Sequence, residues 1–224
     1  DNTCYTHMAA WCARRVKQYL GLPVALVTDQ WPACHSEFDQ VILHPARSGG
    51  VRWFADYHNQ AAWFNASRAD AYDLTPWDQT LLIDADYVIN SEDLAQHLQA
   101  DQDILAYAQA QDVTGSQDQI NTFGNPPMPL WWATVMIFRR SQHSAVVFAM
   151  MQRIRDNWQH YRDLYHFDST TYRNDYALSI ALILAHGCNL SAPALPGILP
   201  TVMPDALLQP VDTHSWKVSW RDQQ

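Results

Sequence analysis

Apolar positions recurring at three- and four-residue steps open the chain. In "HMAAWCARRVKQYL" (7–20), Met8, Trp11, Cys12, Val16, Tyr19 and Leu20 fall on one helical stripe, with Arg14, Arg15 and Lys17 mostly opposite. Gly21 and Pro23 end that helix. Short apolar runs then read as strands: "VALVT" (24–28), "QVILH" (40–44), "TLLI" (80–83), "DILAYA" (103–108) and "ATVMIF" (133–138). Between them, residues 58–72 read as an interrupted helix and "SEDLAQHLQA" (91–100) as a short helix capped by Ser91. Ser141 is placed to cap a long helix carrying Val147, Met151, Ile154, Trp158 and Tyr161 at helical spacing. Asn174 is placed to cap "DYALSIALILAH", which is apolar all round, therefore buried, and ends at Gly187. Residues 115–130, with two glycines and "PPMP", read as an irregular loop. Five prolines in 193–210 exclude a long regular element there.

Strands alternating with helices predict an α/β fold, with a mixed, mainly parallel sheet flanked by helices. The 224 residues suffice for a single domain, 1–224, with one continuous core. No apolar run approaches the length of about 18 residues that suggests a membrane-spanning helix. No signal-peptide pattern is present, so a cytoplasmic location is expected. The first residue is not Met, so the true N-terminus is expected to lie before Asp1.

Charge narrows the function classes. The net charge of −9 argues against a broad electrostatic grip on nucleic acid, though not against a local basic pocket for a phosphate-bearing small molecule. Cys4, Cys12, Cys34 and Cys188 show neither a C-x-x-C pair nor zinc spacing and read as reduced, mostly packed thiols. Ten Trp and ten Tyr suit a core or a groove.

The candidate chemistry lies in "TPWDQTLLIDADYVINSEDL" (75–94). The apolar strand "LLI" runs straight into Asp84 and Asp86, with only Ala85 between them. Ligands of open α/β sheets sit beyond the carboxyl ends of the strands. Two carboxylates there repel unless a cation joins them, and a hard divalent ion, Mg2+ or Mn2+, suits oxygen donors and leaves room for phosphate oxygens. A pair of solvated aspartates at a turn is the other reading of the same residues. Phosphohydrolases with a nucleophilic Asp in D-x-D-x-T/V partly fit "LLIDADYVIN". In that class the motif ends the first strand, whereas about eighty residues precede it here, and no later paired acidic motif follows.

The same stretch resembles the D-x-D region of GT-A glycosyltransferases, in particular glycosyltransferase family 8. Further stretches fall in that family's order. "DNTCYTHMAAWCARRVKQYL" resembles its nucleotide-binding loop and following helix, and "VALVTD" its second strand. "WWATVMIFRRS" is similar to its N-(A/S)-G-V-(L/M) strand, and "RNDYALSIAL" to its D-Q-x-x-L-N segment. "VDTHSWKVSW" is similar to its H-x-x-G-x-x-K-P-W end. The family's first strand is missing from the chain or lies outside it.

The resemblance implies a GT-A-like, Rossmann-related fold and a metal-dependent transfer of a sugar from a nucleoside-diphosphate sugar, a UDP-sugar above all, with retention of configuration. It implies Asp84, Asp86 and His214 as metal ligands and Lys217 as the phosphate-binding cation. It implies donor contacts from Asp1, Asn2, Tyr5, Asp29, Arg68, Ala85 and Thr134, and catalytic roles for Asn174 and Asp175. Each has a competing reading. Arg68 could pair with Asp70 or Asp73, and Asp175 could merely favour a helix dipole. Asp1, Asn2 and Tyr5 could be a frayed terminus, and Trp131 and Trp132 either an acceptor-groove floor or core. The segment 193–224 is expected to be a lid or tail without a regular scaffold, folding back over the ligand. A metal-dependent phosphohydrolase using Asp84 and Asp86, and a non-catalytic nucleotide-sugar-binding module, are the alternative functions.

Overall fold

The computed structural model describes residues 3–54, 59–62, 64, 66–113, 121–167, 171–202, 206–210 and 216–220. Helix α1 (Thr3–Leu20) ends at Gly21, whose φ of 65° is the left-handed conformation that closes helices. Strands β1 (Ala25–Thr28), β2 (Gln40–Leu43), β3 (Val51–Phe54) and β4 (Asn59–Ala62) follow. A 3-10 turn, Ala66–Asp70, runs into the single-turn helix α2 (Ala71–Leu74). Next come β5 (Gln79–Ile83), α3 (Asp93–His97), β6 (Ile104–Tyr107), β7 (Ala110–Asp112) and the two-residue strands β8 (Thr122–Phe123) and β9 (Met128–Pro129). The second half holds β10 (Trp132–Arg139), α4 (Gln142–Asp156), α5 (Trp158–Leu164) and α6 (Asn174–Ala185), then β11 (Leu199–Thr201), β12 (Ala206–Pro210) and β13 (Trp216–Trp220).

The fold is mixed α/β, with several small sheets. The expected mainly parallel arrangement is corrected by the largest of them. In the order β5-β10-β6, β10 runs antiparallel to both neighbours. Parallel pairs are β1–β2 and β7–β11. The direction of β10 follows from its connection. A parallel return needs a crossover of a dozen or more residues, usually a helix. The described residues between β6 and β10 form short strands and turns instead. Strands β5 and β6 do run the same way, with α3 between them in sequence.

Strand β10 is the centre of the core: Val135 and Met136 are wholly buried, and both its faces are apolar. Helices α4 and α6 pack on each other, and α6 packs on β10. Ser141 caps α4 as its position predicts, accepting the Ser144 N–H at 3.1 Å. A smaller cluster joins α1, through Ala9, Ala10 and Ala13, to Phe38 and the inner residues of β1 and β2. No helix among the described residues is long and apolar enough to cross a membrane.

Other local expectations are corrected. Residues 59–62 of the supposed 58–72 helix form β4, paired with β3, and only 66–74 turn helically. Helix α3 is shorter than 91–100 and starts after Glu92, although the Ser91 hydroxyl still receives the Asp93 N–H at 3.4 Å. Asn174 does not cap α6. The chain enters extended through Arg173, and the Asn174 side-chain oxygen accepts the Tyr172 hydroxyl at 3.2 Å. The described part of "VDTHSWKVSW" has a regular scaffold after all, because β13 pairs antiparallel with β12, Lys217 facing Gln209.

Candidate functional site

The three central strands bring their site-bearing ends to one edge. Ile83 pairs with Val135, and Tyr107 with Trp132, so the C-terminal ends of β5 and β6 lie level with the start of β10. Asp84 is the first residue past β5. Its N–H donates to the Thr134 carbonyl at 3.1 Å, and its own carbonyl accepts the Tyr87 N–H at 3.0 Å. That turn carries Ala85 inward, against the cluster of Ala9, Ala10, Ala13 and Phe38, and leaves Asp86 exposed.

Arg68 closes on Asp84 from the 3-10 turn. Its side chain is 8% exposed, its Nη2 bonds the Asp84 carboxylate, and its Nη1 donates to the Ala133 carbonyl at 2.5 Å. Asp175, in the first turn of α6, accepts the Ala133 N–H at 2.8 Å. Its other oxygen takes the Arg173 guanidinium at 2.6 Å. Arg173 in turn lies 5.8 Å over the Trp132 ring and 5.4 Å over Tyr176. Ser179 braces the start of α6 by donating to the Asp175 carbonyl at 2.7 Å and accepting the Trp131 N–H at 2.7 Å.

A second ionic group fixes the turn that carries Arg68. Asp70, 7% exposed, receives Arg155 at 2.8 Å, His44 at 3.1 Å and Gln152 at 3.3 Å. Arg155 also donates to the Ala66 carbonyl at 3.2 Å. Helix α4 thereby holds both ends of a five-residue turn, and Arg68 projects from its middle.

Asp84 carries the electrostatic cost of the site. Burial, chiefly, raises its pKa above the usual carboxylate range; Asp86 and Asp175 push it further up. Arg68 and a hydrogen bond from Thr134 oppose them. Three carboxylates therefore share two guanidiniums, those of Arg68 and Arg173. Exposed Asp86 takes no ion pair among the described residues. Such an excess of oxygen donors suits a hard cation. Among the described residues no three His, Cys, Asp or Glu side chains form a metal cage, so Asp84 and Asp86 would hold an ion only with further ligands. Burial and Asp86 push the Cys12 thiol up to about 11, which keeps it protonated and inert.

The sequence-derived residues divide clearly. Arg68, Asp84, Thr134 and Asp175 converge, with Asp86 beside them and Ala85 packed beneath. Arg68 pairs with Asp84, and Asp70 is taken by Arg155 and His44, so the surface-pair reading of Arg68 is corrected. Asn174 is buried at the start of α6, with its side chain turned to Tyr172. Tyr5 is exposed on α1 rather than in a loop, and Asp29 is exposed just beyond β1. Trp131 and Trp132 are core, at 2% and 8% exposure. Lys217 is exposed on β13. Asp1, Asn2 and His214 lie outside the described residues. Arg173 went unread in the sequence; a cation two residues before Asp175, with aromatics at 172 and 176, was its only signal.

Comparison with known proteins adds no assignment: no family model matches the chain, and neither a curated protein nor a solved structure matches it.

Proposed function

We propose that this chain is a metal-dependent glycosyltransferase that moves a sugar from a nucleoside-diphosphate sugar to an acceptor hydroxyl. The observation that carries the reading is the convergence of Arg68, Asp84, Thr134 and Asp175 at the carboxyl end of β5, with Asp86 exposed beside them. That edge is where open α/β sheets bind nucleotides. A carboxylate pair, the buried guanidinium of Arg68, the half-exposed one of Arg173 and a hydroxyl are a donor set for a diphosphate and its counter-ion.

Asp84 and Asp86 would hold the ion, with His214 as a third ligand, and the ion, when bound, offsets charge on the leaving diphosphate. Arg68 favours the ionised, ligating form of Asp84 and so offsets part of the burial that favours its neutral form. Asp175, aligned by Arg173, would accept a further hydrogen bond from a donor-sugar hydroxyl. Lys217 would add a cation to the diphosphate. The competing phosphohydrolase needs an unencumbered aspartate as nucleophile, and Asp84, with Arg68 on its carboxylate, is poorly suited to attack.

The reaction class is tested by incubating the chain with Mn2+ and a panel of UDP- and GDP-sugars without acceptor. Slow release of free sugar and nucleoside diphosphate supports the transferase, since water substitutes for the acceptor. Inorganic phosphate from an aryl phosphate, with no nucleotide sugar consumed, overturns it. Nucleotide binding with neither activity would leave the binding module.

A further inference from the structure

A cavity of about 270 Å3 opens immediately beyond the Asp84 turn. Its wall begins at Tyr87 and continues through Asn90, Ser91 and Asp93 to Tyr107 at the end of β6; Leu94 and Ile198 supply apolar surface. The loop that forms it is fixed in place. Arg15 of α1, its guanidinium 4.9 Å from both the Trp11 and Tyr19 rings, donates to the Ile89 carbonyl, and the Ile89 side chain is buried.

The cavity and the carboxylate site lie on the same edge of one sheet. Asp84 follows β5, Tyr107 ends β6, and only β10 separates them. Two strand spacings, with a stagger of two residues along β10, put those ends roughly 12 Å apart. A molecule seated in the cavity would lie beside a sugar whose diphosphate is held at Asp84.

We infer that this cavity is the acceptor subsite, and that it takes a neutral, polyhydroxylated molecule: one sugar ring or a cyclic polyol. This rests on the glycosyltransferase reading. The chemistry of the walls argues for the class. Two phenols donate, an amide donates and accepts, and the Ser91 hydroxyl, bonded to Asp93 at 2.7 Å, orients a carboxylate acceptor. Among the described residues no Lys or Arg lines the cavity and the single charge there is negative, which disfavours an anionic acceptor. Tyrosine rings beside aliphatic side chains suit the C–H face of a sugar. The volume lies just under the range of about 300–1,000 Å3 common for small-molecule pockets, which suits one ring rather than an extended ligand. The transfer balances without another reagent. The acceptor oxygen bonds the anomeric carbon as that carbon's bond to the diphosphate oxygen breaks. The bonding pair stays on the diphosphate, and the hydroxyl proton passes to it.

Saturation-transfer NMR with methyl β-D-glucopyranoside, methyl α-D-mannopyranoside and myo-inositol tests the assignment on the intact chain, beside calorimetry with UDP or GDP and Mn2+. Transfer to at least one of these probes is expected in the native chain and in Asp84→Asn. A five-fold or greater loss is expected in Asn90→Trp, which fills the cavity from its loop, and a smaller loss in Tyr107→Phe. An unchanged thermal midpoint and unchanged nucleotide binding in Asn90→Trp show that the chain is folded. No transfer to any probe, or equal transfer in Asn90→Trp, while UDP or GDP still binds, overturns this inference alone. Transfer without binding of either UDP or GDP overturns the transferase reading, and the acceptor role with it.

Discussion

Arg68 and Asp175 grip the backbone of the same residue: Arg68 donates to the carbonyl of Ala133 at 2.5 Å, and Asp175 accepts its N–H at 2.8 Å. The start of β10 is thus held by two side chains that come from distant parts of the chain. Each also carries a second charge partner, Asp84 for Arg68 and Arg173 for Asp175. The candidate site is one network built around the backbone of Ala133.

Arg68→Ala should cost roughly 3 kcal/mol at neutral pH, near the low end for breaking a buried pair, because Asp84 keeps 31% exposure and can take a proton instead. Adding Asp84→Asn should recover part of that loss. Urea unfolding of the four members of the double-mutant cycle measures the coupling.

Asp175→Asn keeps an oxygen for the Ala133 N–H but loses the charge that binds Arg173. It should fold with a loss under about 1.5 kcal/mol, whereas Asp175→Ala strands that N–H and should cost about 1–3 kcal/mol more. Donor-sugar hydrolysis should fall at least ten-fold in both. Chemical denaturation separates the structural loss from the catalytic one.

Much of this was legible in the sequence, and the misses have physical causes. The stripe of α1, the cap of α4 with Val147, Met151 and Ile154, and the apolar runs of β5, β6 and β10 all announce themselves, because burial imposes a period on side chains; Trp158 and Tyr161, expected on the same long helix, lie instead on α5, past a break at Asn157. Asp84 stands out because a charge ends an apolar run. Strand direction did not show, since it is set by what the connection can span. Strands β3 and β4 did not show either, because "VRWF" and "NQAA" have no shared period. The grip on Ala133 is a contact with backbone atoms, which every residue type possesses. Arg173 passed unread because an Arg two residues from an Asp looks like an ordinary surface pair.

Asp70 takes no part in the contact with Asp84, yet it fixes the turn that delivers Arg68. Asp70→Ala would leave the Arg155 guanidinium, itself 8% exposed, without its main partner. A loss of about 3–5 kcal/mol is expected by thermal or chemical unfolding. Asp70→Asn, retaining hydrogen bonds, should lose less and should weaken nucleotide binding through Arg68.

The raised pKa of Asp84 sets two pH dependences of opposite sign. Without metal, its folded-state pKa exceeds the unfolded one, so the folded chain holds the proton more tightly. That contribution to stability is complete below the ordinary carboxylate pKa and is lost as pH rises through the raised value. Asp84→Asn should therefore raise the thermal midpoint at pH 7 and not below about pH 4. Metal binding needs the carboxylate, so affinity should instead increase with pH across the same interval. Thermal scans from pH 4 to 8, with and without Mn2+, read both slopes.

The central claim is that Asp84 joins a divalent ion to a nucleoside diphosphate. Calorimetric titration of UDP and GDP into the chain, with Mn2+ or with excess chelator, and into Asp84→Asn, tests it most directly. Binding of one nucleotide with Mn2+, lost at least ten-fold in chelator and in Asp84→Asn while the variant keeps its fold, is the result predicted. Equal affinity with and without the metal, or in the variant, would contradict it.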